Sequence, residues 1–107
     1  MNNKELVSVG MATFNSSSYV IKSIESALNQ TWSKKEIIII DDCSSDNTFE
    51  IISNYSKKIE NIRVYKNEKN KGIGYTRNQL INKSRGEFIS FFDDDDISKK
   101  DRIENQI

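Results

Sequence analysis

Two apolar runs in this chain end in carboxylates. Phe88-Ile89-Ser90-Phe91-Phe92 passes directly into Asp93-Asp94-Asp95-Asp96, and Glu36-Ile37-Ile38-Ile39-Ile40 passes into Asp41-Asp42. A continuous β-branched run of this length is the composition of a strand covered on both faces, as in a parallel sheet. A strand that ends in acids delivers hard oxygen ligands at a rigid edge. Divalent metals and bound diphosphates need that arrangement. Two such strands predict one shared site at one edge of one sheet. The plainer reading of Asp93–Asp96 is a solvated acidic turn, but four unpaired carboxylates repel one another and favour a cation among them.

The rest of the pattern alternates strand and helix. Leu6–Ala12 reads as a first strand, and Ser16-Ser17-Ser18 as N-cap candidates for a helix carrying Val20, Ile24, Ala27 and Leu28 to about Gln30. Asn47 with Glu50 resembles a capping box for a second helix marked by Phe49, Ile52, Tyr55 and Ile59. Ile62–Lys66 alternates in polarity and reads as a strand near an edge. A third helix is expected from Tyr75 to Lys83 with Leu80 and Ile81 facing inward, stopped at Arg85-Gly86. Ser98 with Asp101 is a capping pattern for a last helix bearing Ile103 and Ile107. Alternation with short links predicts right-handed βαβ units. The expected fold is α/β, a three-layer αβα arrangement around a parallel sheet of about four strands. Ligands of such sheets bind beyond the carboxyl ends of the strands, where Thr13-Phe14-Asn15, Asp41-Asp42 and Asp93–Asp96 all fall. The final residues end within a helical pattern, which predicts a single domain over 1–107 cut from a longer protein.

Composition narrows the chemistry. The chain has 107 residues, 16 Lys+Arg against 16 Asp+Glu, one cysteine and no histidine. Zero net charge argues against duplex nucleic acid as a partner. Without histidine, Ser-His and Cys-His catalysis is excluded, and any metal site must be built from oxygen, which favours Mg²⁺ or Mn²⁺. Cys43 forms no internal disulfide and fits a reducing compartment. No apolar run approaches a membrane span of about 20 residues, and the N-terminus lacks a signal-peptide pattern. The expected location is the cytoplasm.

Five motifs in order resemble the N-terminal half of family 2 glycosyltransferases of the GT-A fold. Val7-Ser-Val-Gly-Met-Ala-Thr-Phe-Asn15 resembles V-S-V-I-I-P-T-Y-N. Ser26-Ala-Leu-Asn-Gln-Thr-Trp32 is similar to S-x-L-x-Q-T-[YW], and Ile37–Asp46 to I-I-V-V-D-D-G-S-x-D. Asn70-Lys-Gly72 with Arg77-Asn78 matches N-x-G-x-x-x-A-R-N, and Gly86–Asp96 matches G-E-Y-I-x-F-L-D-x-D-D. Ala12, Cys43 and Gln79 depart from the pattern, standing where proline, glycine and alanine are usual.

The resemblance implies an inverting transferase that moves a sugar from a nucleotide-diphosphate sugar, with uridine diphosphate as carrier, to a saccharide or lipid-linked acceptor. It implies that Mn²⁺ or Mg²⁺ bridges the diphosphate. It makes Asp93-Asp94-Asp95 the D-x-D motif, with Asp95 the direct metal ligand and Asp93 assisting it or holding the ribose. In the alternative register Asp94 takes the ribose. Asp42 would accept a hydrogen bond from the base edge, while Asp41 faces inward or supports the turn. Phe14 would stack on the base, with Thr13 and Asn15 shaping the same wall; Asn15 is equally read as holding the turn. Arg77 would reach the base or diphosphate, and Gly72 and Gly74 would let the loop approach the nucleotide, with Lys71 a weaker phosphate candidate. The acceptor half and the catalytic base are expected downstream of residue 107, so no catalytic residue is assigned and this piece alone is expected to be inactive. Lys57, Lys58, Arg63, Lys66, Lys69 and Lys71 read as a solvated basic face, or as a contact with the inner membrane surface if the acceptor is lipid-linked.

Other readings use the same residues. A sugar-phosphate nucleotidyltransferase wants a glycine-rich loop after the first strand, which Thr13-Phe-Asn-Ser-Ser does not supply. A phosphoacceptor signalling domain wants its acids after strand one. A non-catalytic nucleotide-binding module would leave an apolar patch exposed and self-associate, giving a homodimer.

Overall fold

The computed structural model describes residues 5–94 and 100–106. Elements alternate along the chain: β1 (Val7–Thr13), α1 (Val20–Leu28), β2 (Lys35–Asp41), α2 (Thr48–Ser56), β3 (Ile62–Lys66), α3 (Ile73–Lys83), β4 (Phe88–Asp93) and α4 (Arg102–Gln106). The four strands form one parallel sheet in the order β3-β2-β1-β4. The α/β three-layer expectation therefore holds, and β3 lies at an edge of the sheet.

Side-chain alternation builds the two outer layers. Ile37 and Ile39 face one side of β2, with Val7, Val9 and Met11 of β1, and pack against Val20, Ile24 and Ala27 of α1, Ile52 of α2 and Ile103 of α4. Ile38 and Ile40 face the other side and pack with Leu80 of α3. All four isoleucines are essentially inaccessible to solvent, as the doubly covered run predicts. The chain steps outward from β1 to β3, then returns past β1 to β4. With crossovers of one hand, reversing the direction of travel puts the next helix on the opposite face, which is where α3 lies. The reversal leaves a crevice between β1 and β4 at their carboxyl ends.

Several local expectations are corrected. Tyr19 stands at the N-cap of α1 without a side-chain bond, and the Ser16 carbonyl takes the Tyr19 and Val20 N–H groups instead of a serine hydroxyl capping the helix. The Asn47–Glu50 box is not made either. The Asp46 carboxylate caps α2, accepting the Thr48 N–H at 3.0 Å and also the Thr48 hydroxyl. Ile81 points outward and is 48% exposed, because the side chains that α3 buries are Thr76 and Leu80. Gly86 does not stop α3, which ends at Lys83 with Ser84 extended. Gly86 is needed because a Cβ there would lie 2.6 Å from the Leu6 carbonyl oxygen and 2.7 Å from the Ser8 nitrogen. The Ser98 cap and Ile107 lie outside the described residues.

The Gln30-Thr31-Trp32 segment docks the last helix. The buried Gln30 side-chain oxygen accepts the Ile103 N–H at 2.9 Å, and the Lys100 carbonyl accepts the Thr31 N–H at 2.7 Å. Arg102 lies over the Phe92 ring and donates to the Phe91 carbonyl. This packing holds α4 against the end of α1 and the side of β4.

Candidate functional site

Register brings the acidic ends together. Thr13 pairs with Asp41 across β1 and β2, and Ala12 pairs with Asp93 across β1 and β4. The tips of β2 and β4 thus flank the tip of β1 at the same edge of the sheet. A cleft of about 330 Å³ opens there, lined by Ala12, Thr13 and Phe14 after β1, Asp42 after β2, Asn70, Gly72, Ile73 and Thr76 around the start of α3, and Asp94 after β4.

The two acids of the β2 tip have different surroundings. Asp41 is fully buried and accepts the Thr13 hydroxyl at 2.7 Å, the Ser44 hydroxyl at 2.6 Å and the Ser44 N–H at 2.8 Å. It faces inward and ties the β2–α2 turn. Asp42 lines the cleft. Its Oδ1 accepts the Lys71 N–H at 2.7 Å and an Asn67 amide proton at 2.9 Å, and its Oδ2 accepts the Gly72 N–H at 2.9 Å. Burial pushes the Asp42 carboxyl up, but these three donors outweigh it and hold the group below its ordinary range. The loop between β3 and α3 is thus wrapped around one carboxylate, and the Asn70 side chain adds a bond to the Asp42 carbonyl. Gly72 has φ +91. This backbone shape, which side chains other than glycine's rarely allow, turns the Gly72 N–H toward Asp42.

Two residues at this edge hold left-handed backbone, Asn15 (φ 48) and Cys43 (φ 60). Asparagine tolerates that region well. The Asn15 side-chain oxygen accepts the Ser45 N–H at 2.8 Å and the Ser45 hydroxyl at 3.2 Å, tying the β1–α1 loop to the β2–α2 loop. The structure thus has Asn15 holding the turn. Cys43 occupies the position where the resemblance expects glycine, and its conformation supplies the reason for that expectation. Phe14 is 47% exposed at the cleft. Its N–H donates to Asp94 Oδ2 at 3.0 Å, and the Ser23 hydroxyl donates to the Asp94 carbonyl at 2.8 Å, so the β4 tip is fastened to the β1–α1 loop.

Arg77 does not line the main cleft. It sits over the Phe91 ring and borders a smaller adjoining hollow with Asp93, Ala12 and Ile73. Lys71 lies over the Tyr75 ring, and Gly74 has open space around it. Arg63 leaves the expected solvated basic face. It pairs with Glu36 at 2.8 Å and donates to the Lys83 carbonyl at the opposite end of the sheet. There Glu36 also accepts the Ser8 hydroxyl at 2.6 Å and the Arg85 N–H at 2.7 Å. Burial pushes the Glu36 carboxyl up, but its hydrogen bonds and Arg63 bring it below its ordinary range.

For a metal, the donors at the β4 tip are carboxylate oxygens, and the chain has no histidine. Asp93 and Asp94 stand at the β4 tip, and Asp95, the expected direct ligand, lies outside the described residues, as does Asp96. Among the described residues no group of three or more acidic or sulfur ligands is assembled. The donor type suits a hard divalent ion, with a coordination sphere that Asp93 and Asp94 alone do not complete. Among the described residues no helix is long and apolar enough to cross a membrane.

Sequence reasoning passed over Asn67 and Thr76. Thr76 lies in the first turn of α3, and its hydroxyl donates to the Gly72 carbonyl while accepting from Asn67. Neither sits in an apolar period or an acid run, and only the Thr76 position relative to Gly72, four residues on, carries a signal.

Comparisons with known proteins agree with one another. A model of the Glycosyl transferase family 2 domain matches residues 8–107. The Escherichia coli UDP-Glc:alpha-D-GlcNAc-diphosphoundecaprenol beta-1,3-glucosyltransferase WfaP is 40% identical over 105 residues, covering 96% of this chain and 40% of that protein. The crystal structure of S. aureus TarS 1-349 in complex with UDP-GlcNAc matches with a TM-score of 0.83 and 33% identity, over 94% of this chain and 29% of that one. The mannosyltransferase PcManGT from Pyrobaculum calidifontis, in complex with GDP-Man and Mn²⁺, matches with a TM-score of 0.86 at 18% identity, over 94% of this chain and 31% of that one, a likeness of fold. The chain spans about two fifths of the length of the first curated relatives it matches.

Proposed function

This chain belongs to glycosyl transferase family 2, and we propose that it is the donor-binding part of an inverting sugar transferase that takes a UDP-sugar. One observation carries the reading. Asp42, Phe14, Thr13, Gly72 and Asp94 come from four separate segments and meet in one cleft at the strand ends where the sheet order reverses.

Each residue has a part in this reading. Phe14 presents an exposed ring for the base to stack on. Asp42 has three of its roughly four acceptor positions filled from within the chain, and the remaining one, on Oδ2, takes a donor from the base edge such as the imide N–H of uracil. Thr13 fixes the wall beneath through Asp41. Asp93 and Asp95 hold Mn²⁺ or Mg²⁺, with Asp94 or Asp93 on the ribose, and Arg77 approaches the diphosphate from the side of α3. A divalent ion bound there supplies positive charge to the departing diphosphate. That the relatives bind UDP-GlcNAc, or GDP-Man with Mn²⁺, supports a nucleotide-sugar donor and a metal. The name of WfaP supports a saccharide or lipid-linked acceptor. The acceptor site and general base are assigned to the share of the family's length that this chain does not cover, so the chain alone is expected to bind donor without transferring sugar. A cytoplasmic location, at most peripheral to the inner membrane face, goes with this reading.

Titrating a panel of nucleoside diphosphates by calorimetry, with and without Mn²⁺, tests it. Metal-dependent binding with UDP preferred is expected; equal, metal-independent binding of all of them, or none, would overturn it. A second reading, self-association through an uncovered surface, is favoured by the exposure of Ile73, Ile81 and Phe88. Light scattering at high concentration should then show a dimer, and a clean monomer contradicts it.

A further inference from the structure

We propose that Asn67 is a positioning residue for base selection, acting through Asp42 and resting on the reading of the cleft as a uridine-nucleotide site. Asn67 follows β3 and does not line the cleft. Its side-chain nitrogen stands 2.9 Å from Asp42 Oδ1 and 3.1 Å from the Thr76 hydroxyl oxygen, while its backbone N–H donates to the Asp41 carbonyl at 2.8 Å. The orientation of the amide follows from its partners. An ionised carboxylate only accepts, and the Thr76 hydroxyl proton is committed to the Gly72 carbonyl at 2.9 Å. Both neighbours therefore require a donor, and the two protons of one amide nitrogen serve both.

Asn67 thereby couples the base-facing carboxylate to the first turn of α3. With the Lys71 N–H it fills both acceptor positions of Oδ1 and leaves the open one on Oδ2. The Asp42 plane cannot rotate to present Oδ1 to a ligand without losing two charge-assisted bonds. A base edge with a donor at that point is accepted. One with an acceptor there, such as N3 of cytosine, meets a fixed negative oxygen and is rejected. Selection therefore depends on a residue that touches no ligand.

The test measures UDP and CDP binding to the whole chain in the presence of Mn²⁺ by calorimetry, for the native protein, Asn67→Ala, Asp42→Asn and the double variant. Asn67→Ala should lower the preference for UDP over CDP by about tenfold, the scale of one charge-assisted hydrogen bond. It should change the preference little further when Asp42 is already asparagine. Equal losses for UDP and CDP indicate a merely structural role and overturn the inference. So does full additivity of the two substitutions. If the native chain shows no preference for UDP over CDP, the reading of the cleft fails first and the inference falls with it. A second measurement needs no variant. The Asn67 side-chain amide protons should shift in nuclear magnetic resonance spectra on adding UDP with Mg²⁺ and stay in place with inorganic pyrophosphate and Mg²⁺. Equal shifts with both overturn the inference.

Discussion

Thr13 and Asp41 are register partners on adjacent parallel strands, and the Thr13 hydroxyl donates to the Asp41 carboxylate at 2.7 Å in a fully buried contact. This bond levels the tips of β1 and β2. Every other feature of the cleft, from the exposed Phe14 ring to the Asp42 clasp, is set out from that edge.

The adjacent acids should therefore separate stability from binding. Asp41→Ala leaves the Thr13 hydroxyl and both Ser44 donors without their acceptor. It should cost about 2–4 kcal/mol in urea denaturation. Asp42→Asn keeps the shape of the side chain but places an amide among three donors. It should weaken UDP binding by about tenfold or more with a smaller loss of stability. A larger stability loss for Asp42→Asn than for Asp41→Ala would reverse these roles.

Cys43 and Asn15 share left-handed backbone and should respond oppositely to glycine. At Cys43 the side chain makes one weak contact, Sγ to the Glu68 carbonyl at 3.6 Å. Cys43→Gly relieves a conformation costing about 1–2 kcal/mol, partly offset by glycine's greater freedom when unfolded. A net gain of about 0.5–1 kcal/mol is expected. Asn15→Gly forfeits the bonds to Ser45 and should destabilise. Thermal denaturation of the two variants checks the opposite signs.

Acid should unfold the protein through Glu36 and Asp42. Both carboxyls are held below their ordinary values of 4.5 and 3.8 in the folded chain. A carboxylate depressed on folding contributes stability above its unfolded value and loses it as pH falls through the folded one. Stability from these groups should be level above about pH 5 and fall progressively below about pH 4.5. Glu36→Gln should flatten part of that fall, at a cost near neutrality of about 1–3 kcal/mol from the weakened Arg63, Ser8 and Arg85 contacts. Urea midpoints measured from pH 3 to 7 test both the sign and the window. An unchanged acid limb in Glu36→Gln contradicts the assignment.

Two glycines should fail in different ways. Gly86→Ala drives a methyl into β1 backbone, 2.6 Å from the Leu6 carbonyl oxygen, and should cost about 1–3 kcal/mol without altering UDP affinity of the folded protein. Gly72→Ala has open space but a backbone near φ +91 and ψ 164, strained for alanine by about 1–3 kcal/mol. It should also weaken UDP binding, because the Gly72 N–H holds Asp42. Denaturation and calorimetry on both variants separate the two effects.

The layers, the parallel sheet and the shared edge were legible because each strand carries its burial in its own letters. The isoleucine run of β2 needs cover on both faces, and acids can follow it only where the sheet ends. Helix ends were less legible. Asp46, rather than the Asn47–Glu50 pair, proved to be the side chain that caps α2, since neighbouring small polar residues offer equivalent caps and tertiary geometry picks among them. Ile81 failed because adjacent apolar residues on α3 cannot both face a sheet whose near surface Leu80 already fills. Asp41 and Asp42 look alike as letters and both are buried, yet alternation at the end of β2 points one into the β2–α2 turn and the other to the cleft. Asn67 was invisible because its role depends on contacts with Asp42 and Thr76, from two different segments.

Mapping backbone amide shifts of the isotopically labelled chain during titration with UDP and Mg²⁺ tests the central claim most directly. Shifts concentrated at Thr13, Phe14, Asp42, Gly72, Thr76 and Asp94, around the cleft at the carboxyl ends of β1, β2 and β4, are expected. Shifts gathered instead around Ser8, Glu36, Arg63 and Gly86 at the opposite end of the sheet, or no shifts at all, would contradict it.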